Sequence, residues 1–270
     1  MLHKKYQRLK DYFAELESVA IAFSSGVDST FLLKTAHDVL GDKVLALTAS
    51  SFTFARREHD SASEFCKHEN IRHIIVEVNE LWIPEFIQNP PNRCYICKRI
   101  IFSKLKKVAG ENGILTICEG SNADDLSDFR PGFKAVQELG IQSPLTMFEF
   151  TKNEIRELSK EFNIPTWKKS DFSCLATRFV YGETITRDKL EKVEKAEQLL
   201  FEMGFRQFRV RIHGPIARIE ILPDEFPMLL AERELIVDKF KVFGFSYVTM
   251  DLQGYRMGSM NETLGQSSKK

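Results

Sequence analysis

Ser24-Ser25-Gly26-Val27-Asp28-Ser29-Thr30 puts small and hydroxylated residues where a short apolar run ends and a helical pattern begins. Small residues let a backbone wrap an anion closely, and the free N–H groups of a helix start point at negative charge. The hydroxyls of Ser24, Ser29 and Thr30 can add hydrogen bonds. Asp28 would repel a polyphosphate, so it suits a magnesium ion or a magnesium-bound water instead. A serine-rich helix cap explains the same letters without a ligand. A second fragment, Glu119-Gly120-Ser121-Asn122-Ala123-Asp124-Asp125, follows another apolar run. Gly120 there allows close approach of a nucleotide, and Asp124 and Asp125 offer carboxylates to a metal. The plain alternative is an Asn/Asp-rich turn. Asp128 and Arg130 come next. The pattern G-x-x-x-x-G-K-[ST] is absent, which argues against a γ-phosphate transferase of that type.

The cysteines are Cys66, Cys94, Cys97, Cys118 and Cys174. Cys94-Tyr95-Ile96-Cys97 is a C-x-x-C at a helix start. It suits a dithiol redox pair, half of a zinc site, or part of an iron–sulfur centre. Cys66 and Cys118 read as packing residues. Cys174 lies in a polar, irregular stretch, where Arg178, Lys168 and Lys169 would favour its thiolate. Three cysteine ligands would hold three irons of a four-iron cluster and leave the fourth open to hydrosulfide.

Arg209 and Arg211 alternate on one strand and share a face. Arginine suits bidentate phosphate recognition. Cross-strand pairing of Arg211 or Arg218 with Glu220 is the alternative. Arg178 and Tyr181 have the same standing, and Trp82 and Trp167 read as packing.

The elements that must position these residues alternate. Strand signals at 18–23, 43–49, 73–78 and 114–118 alternate with helix signals at 29–40, 56–69 and 95–109. This order predicts an α/β fold, a parallel sheet with helices on both faces, with ligands beyond the carboxyl ends of its strands. Farther on, a helix at 186–203, a hairpin at 207–222, a helix at 224–243 and a strand at 247–252 predict a smaller α+β module. Two domains are expected, 1–172 and 173–270.

The chain has 270 residues, with 38 Lys+Arg against 38 Asp+Glu. The charges also balance on each side of residue 180, so no basic half is hidden. That argues against a nucleic-acid partner. An odd, sparse cysteine set does not suit a secreted disulfide framework. The N-terminus lacks a signal-peptide core, and no apolar run is long enough to span a bilayer. A reducing cytoplasm, no membrane partner and a homo-oligomer are expected.

The loop at 24–29 resembles the S-G-G-x-D-S signature of the PP-loop ATP pyrophosphatases, which cleave ATP between the α and β phosphates and adenylate a substrate. Ser25 stands where the first glycine usually is, and a working loop is expected if that position needs no positive φ. Cys-Leu-Ala-Thr-Arg-Phe-Val-Tyr-Gly (174–182), Asp-Phe-Arg-Pro-Gly-Phe-Lys-Ala (128–135), Phe-Arg-Val-Arg-Ile-His (208–213) and Ala-Arg-Ile-Glu (217–220) extend the likeness along the chain. Together they resemble the LarE-type sulfur transferases of nickel-pincer nucleotide biosynthesis.

The resemblance implies ATP and Mg2+ at Ser24, Ser25, Gly26, Asp28, Ser29, Thr30, Ser50, Gly120, Asp125 and Arg178. It implies that carboxylates of pyridinium-3,5-biscarboxylic acid mononucleotide are adenylated and then thiolated, with Cys174, Asp28, Arg209, Arg211 and Glu220 as catalytic residues. Some members sacrifice the cysteine matching Cys174, leaving dehydroalanine. Others bind a 4Fe-4S cluster through three cysteines, and Cys94, Cys97 and Cys174 match that group, which needs a sulfide donor. A PP-loop tRNA thiolation enzyme and a cluster- or zinc-stabilised nucleotide sensor are the competing readings.

Overall fold

Four short apolar runs become one parallel sheet. The computed structural model describes residues 2–127, 131–170 and 173–263. In it β1 (Val19–Ala22), β2 (Val44–Ser50), β3 (Arg72–Glu77) and β4 (Ile117–Cys118) lie in the order β3-β2-β1-β4. Every pairing is parallel: Val19 opposes Val44, Leu45 opposes Arg72 and Ala20 opposes Ile117. Parallel neighbours need crossovers, and helices Val27–Leu40, Arg56–His68 and Arg93–Glu111 lie between the strands. Val19, Ala20, Ile21 and residues 44–47 are buried, as strands flanked by helices require. The α/β class expected from the sequence is the one found. β4 is shorter than the apolar run at 114–118, because the Ile114 N–H turns back to the Ala109 carbonyl at 2.9 Å and closes the preceding helix.

The chain divides into two compact units, Met1–Asn79 with Cys94–Asp171 and Glu80–Arg93 with Phe172–Lys270. The sequence suggested a single boundary after residue 172. The segment Glu80–Arg93 groups with the second unit, where Gly182 and Ile185 donate to the carbonyls of Asn89 and Ile87 at 3.0 and 2.8 Å.

Four helices of the first unit go beyond the sequence reading, Leu2–Ala14, Gly132–Glu138, Pro144–Met147 and Lys152–Glu161. Leu2–Ala14 buries Leu9 and Phe13, and its Tyr6 ring lies 5.9 Å from Phe31 and 4.8 Å from Phe162. Lys152–Glu161 starts at a capping box in which Thr151 and Glu154 satisfy each other's backbone N–H groups.

The second unit is built on a sheet ordered β5-β6-β7, with β5 (Phe208–His213) antiparallel to β6 (Ile216–Ile221) and β7 (Tyr247–Met250) parallel to it. Helix Arg187–Glu202 buries Leu190, Val193, Ala196 and Leu200. The helix expected at 224–243 is two, Phe226–Ala231 and Arg233–Val242, broken at Glu232. Trp82 is 82% exposed, so it is not a packing residue. Among the described residues no helix is long and apolar enough to cross a membrane.

Candidate functional site

β1, β2 and β4 are parallel neighbours, so their carboxyl ends share one edge of the sheet. Ser24 follows β1, Ser50 ends β2 and Gly120 follows β4, which brings the first unit's candidate residues to that edge. Gly26 caps helix Val27–Leu40 with ordinary extended angles, φ −74° and ψ 168°. The left-handed residue is Ser25, at φ 55°. The expectation that this position needs no positive φ is therefore overturned. A non-glycine residue there costs about 1–2 kcal/mol of strain, which the fold offsets with specific bonds. Ser25 Oγ donates to the Glu58 carbonyl at 3.0 Å and to Glu58 Oε2 at 3.2 Å. Lys169 Nζ donates to the Ser25 carbonyl at 3.0 Å and lies 2.7 Å from Glu58 Oε2.

Not every hydroxyl of the loop faces outward. Thr30 is fully buried, and its Oγ1 donates to the Gly26 carbonyl at 2.7 Å. Ser29 Oγ bonds the same carbonyl at 3.3 Å and Ser24 Oγ at 3.1 Å. These bonds stiffen the turn. Ser24 is exposed, and Gly26 and Asp28 are half-buried. The helix start that Gly26 caps can receive an anion through backbone N–H groups. Asp28 Oδ2 accepts from Lys152 Nζ at 2.7 Å. The Lys152 backbone N–H donates to Asp124 Oδ2 at 2.8 Å, and Asp125 Oδ2 accepts from the Asn122 N–H at 3.1 Å. The two fragments singled out in the sequence are thus tied through one lysine.

A Cβ on Gly120 would stand 2.9 Å from Ser29 N and 3.1 Å from its Cα. Gly120 is required so that its own loop can pack on the helix start. Glu119, beside it, is buried and accepts from Ser121 Oγ at 2.8 Å and Ser143 Oγ at 2.5 Å, with Lys98 Nζ 3.9 Å away. Asp128 and Arg130 lie outside the described residues.

Arg178, Arg209, Arg211 and Glu220 come together in the second unit, with Glu197 added. Arg178 is fully buried and forks onto Glu197, Nε to Oε1 at 2.7 Å and Nη2 to Oε2 at 2.9 Å. Its Nη1 donates to Ser173 Oγ at 2.7 Å and to the Cys174 carbonyl at 3.2 Å. Burial would raise the Glu197 carboxyl, but the charge and hydrogen bonds of Arg178 hold it below the usual carboxylate range. Arg211 forks onto Glu220 at 3.1 and 2.9 Å, and Arg218 takes the other Glu220 oxygen at 2.9 Å. Arg211 therefore pairs with Glu220 across the strands, while Arg218 reaches it along the same strand, whatever else these residues do. Arg209 donates to the Phe208 carbonyl at 2.6 Å, and its guanidinium lies 5.1 Å from the Tyr255 ring centre. Burial, with the charge of Arg178, brings its pKa down to about 10.

Cys94 and Cys97 are one helical turn apart in helix Arg93–Glu111, half-buried and buried respectively. Cys174 is half-buried and precedes the turn Leu175–Arg178 in the second unit. The cations expected to favour its thiolate have other partners: Arg178 pairs with Glu197, and Lys169 with Ser25 and Glu58. Burial drives the Cys66 and Cys118 thiols up to about 12, as packing residues should behave. Among the described residues no three His, Cys, Asp or Glu side chains are gathered to hold a metal ion.

Sequence reasoning missed Glu58, Lys152 and Glu197, gave Glu119 no role of its own, and read Lys169 toward Cys174 rather than toward Ser25 and Glu58. For Glu197 a signal existed, since a carboxylate falls inside the apolar stripe 190, 193, 196, 200. Glu58 sits in a polar stretch and gave none.

No protein-family model matches the chain. It is 40% identical to an uncharacterized protein of Synechocystis sp., over 98% of this chain and 99% of that one. It is 36% identical to the pyridinium-3,5-bisthiocarboxylic acid mononucleotide synthase of Lactiplantibacillus plantarum, over 93% of this chain and 91% of that protein. One subunit of the glutamine-hydrolyzing GMP synthase of Methanococcus vannielii is 27% identical over 67% of this chain and 62% of its own length.

Proposed function

The chain belongs to the LarE family, and we propose on that basis that it is an ATP-dependent sulfur transferase acting on pyridinium-3,5-biscarboxylic acid mononucleotide. The observation that carries the reading is the 36% identity to the Lactiplantibacillus plantarum synthase over 93% of the chain, which takes in both units. The loop at the carboxyl edge of the sheet supports it.

In this reading ATP lies against the helix start at Gly26 and Val27. Backbone N–H groups take the negative charge of the phosphates. The substrate carboxylate attacks the α-phosphorus and pyrophosphate leaves. Hydrosulfide then displaces AMP from the acyl-adenylate and gives the thiocarboxylate directly. A cysteine thiolate instead gives a thioester, and loss of the cysteine Hα with cleavage of its Cβ–S bond then frees the thiocarboxylate and leaves dehydroalanine. Magnesium, when bound, would neutralise the departing pyrophosphate. Asp28 suits it, because magnesium commonly uses one or two carboxylates together with phosphate oxygens, and Lys152 now supplies the positive charge beside that carboxylate. Arg209 and Arg211, with the pairs around them, give the second unit a cationic interior suited to the substrate's phosphate.

A 4Fe-4S cluster on Cys94, Cys97 and Cys174 would carry the sulfide. The C-x-x-C spacing supports two of its ligands. The described residues do not gather three ligands, so no step is assigned to the cluster. In a second reading the Cys174 sulfur itself is given up and dehydroalanine remains; Cys174 is half-buried rather than sealed in a core.

Anaerobic purification with iron and sulfide analysis, then ATP-dependent thiolation of the mononucleotide, tests both. The cluster reading expects brown protein with about four irons per chain and repeated turnover. The sacrificial reading expects iron-free protein, a single turnover and a loss of roughly 34 Da at Cys174, the mass of hydrogen sulfide removed in forming dehydroalanine. Absence of ATP-dependent thiolation in either preparation overturns the proposed function.

A further inference from the structure

We propose that Arg93 anchors an anion site in the second unit, taking a phosphate or carboxylate group of a small ligand. The inference does not depend on the sulfur-transfer reading.

Arginine stays charged in proteins, and a buried charge is strongly unfavourable unless it is paired. The second unit follows that rule at two of its buried arginines, matching Arg178 with Glu197 and Arg211 with Glu220. Arg93 is 4% exposed, yet its contacts among the described residues are neutral. Its Nη1 donates to Asn89 Oδ1, and its guanidinium lies 5.4 Å from the Tyr181 ring centre. Its Nε is buried and has no hydrogen-bond partner among the described residues.

The neutral contacts are themselves fixed. Asn89 is buried, holds a left-handed backbone at φ 54°, and donates through Nδ2 to the Val180 carbonyl at 2.6 Å. Tyr181 donates its hydroxyl to Asn261 Oδ1 at 3.0 Å. An amide oxygen and a ring face orient the guanidinium without neutralising it. The edge carrying Nε is left for two oxygens of one anion, the fork geometry that arginine offers to phosphate and carboxylate. Pro91 and Asn92 next to it are exposed, which sets the site close to the surface.

Titration calorimetry on the full chain tests the site, with inorganic phosphate in one arm and pyridine-3,5-dicarboxylate in the other. The parent should bind one more equivalent of at least one probe than Arg93→Met does. Arg93→Lys keeps the charge but loses the fork, and should bind about tenfold more weakly. The difference between parent and variant cancels anion binding at the nucleotide loop. Thermal unfolding supplies the control: without anion Arg93→Met should unfold no earlier than the parent, and saturating probe should raise the parent's midpoint alone. If Arg93→Met fails to fold, the lysine variant carries the comparison. Titrations of the variants that match the parent in both arms overturn the proposal. So does a loss of stability in Arg93→Met that is equal with and without the anion.

Discussion

Lys169 donates from Nζ to the Ser25 carbonyl at 3.0 Å, fastening the loop at 24–30 at its left-handed residue. Ser25→Gly would remove the positive-φ strain and also the Ser25 hydroxyl that bonds Glu58. These oppose each other at about 1 kcal/mol each. The expected result is a stability within about 1 kcal/mol of the parent and unimpaired ATP binding. Ser25→Val puts a β-branched side chain at φ 55° and should cost about 2–3 kcal/mol. Urea unfolding and ATP calorimetry on both variants check this. Equal stability of the valine variant would show that the loop does not need this conformation.

Glu197 gives a pH prediction whose sign follows from its pairing. Its carboxyl is held below the ordinary value of 4.5, against burial, by Arg178. A depressed carboxyl stabilises the fold above its unfolded value, and that stability is lost as pH falls through the folded value. Glu197→Gln should cost about 3–5 kcal/mol at neutral pH by leaving Arg178 buried and unpaired. Its stability should also fall less steeply than the parent's below pH 4.5. Unfolding midpoints measured from about pH 3 to 7 test the slope. Parallel curves for parent and variant would refute the assignment.

Much of the fold is legible because apolar runs report burial directly. β1 and residues 44–47 of β2 are runs of Ala, Val, Ile and Leu that the fold buries, whereas β3, at the sheet edge, is apolar only at residues 74–76 and leaves Ile75 47% exposed. Thr151 and Glu154 also spelled out a capping box, so the missed helix after it had a local signal. The site is harder to read. Ser25 is stabilised from Glu58 and Lys169, 33 and 144 residues away in sequence, and no local pattern records such pairs. Gly120 does permit a close approach, one made by the backbone of Ser29, a partner that no local pattern announces.

The cysteines should separate by reactivity. Burial lifts the Cys66 and Cys118 thiols to about 12, so at about pH 8 almost none is thiolate. Cys94 and Cys174 are half-buried. Iodoacetamide on reduced native protein should label Cys94 and Cys174 first and leave Cys66 and Cys118 unlabelled, with all five labelled after unfolding in guanidinium. Peptide mass spectrometry reads the order. Labelling of Cys118 as fast as Cys94 would contradict its burial.

Gly120→Ala isolates the packing of one loop on the other. The added methyl would meet Ser29 N at 2.9 Å and Ser29 Cα at 3.1 Å, both backbone atoms at the start of helix Val27–Leu40. Neither can swing aside as a flexible side chain would, so the helix start or the Gly120 turn must shift. Overpacking of this kind costs about 1–3 kcal/mol. Because the shift falls at the N–H groups expected to face phosphate, ATP affinity should drop more than stability alone accounts for. Gly110→Ala is the control, since its added methyl meets nothing within 4 Å and lies inside helix Arg93–Glu111. That variant should match or exceed the parent in stability and bind ATP normally. Should Gly120→Ala bind ATP as tightly as the parent at a temperature where both are folded, the phosphates do not rest on this helix start.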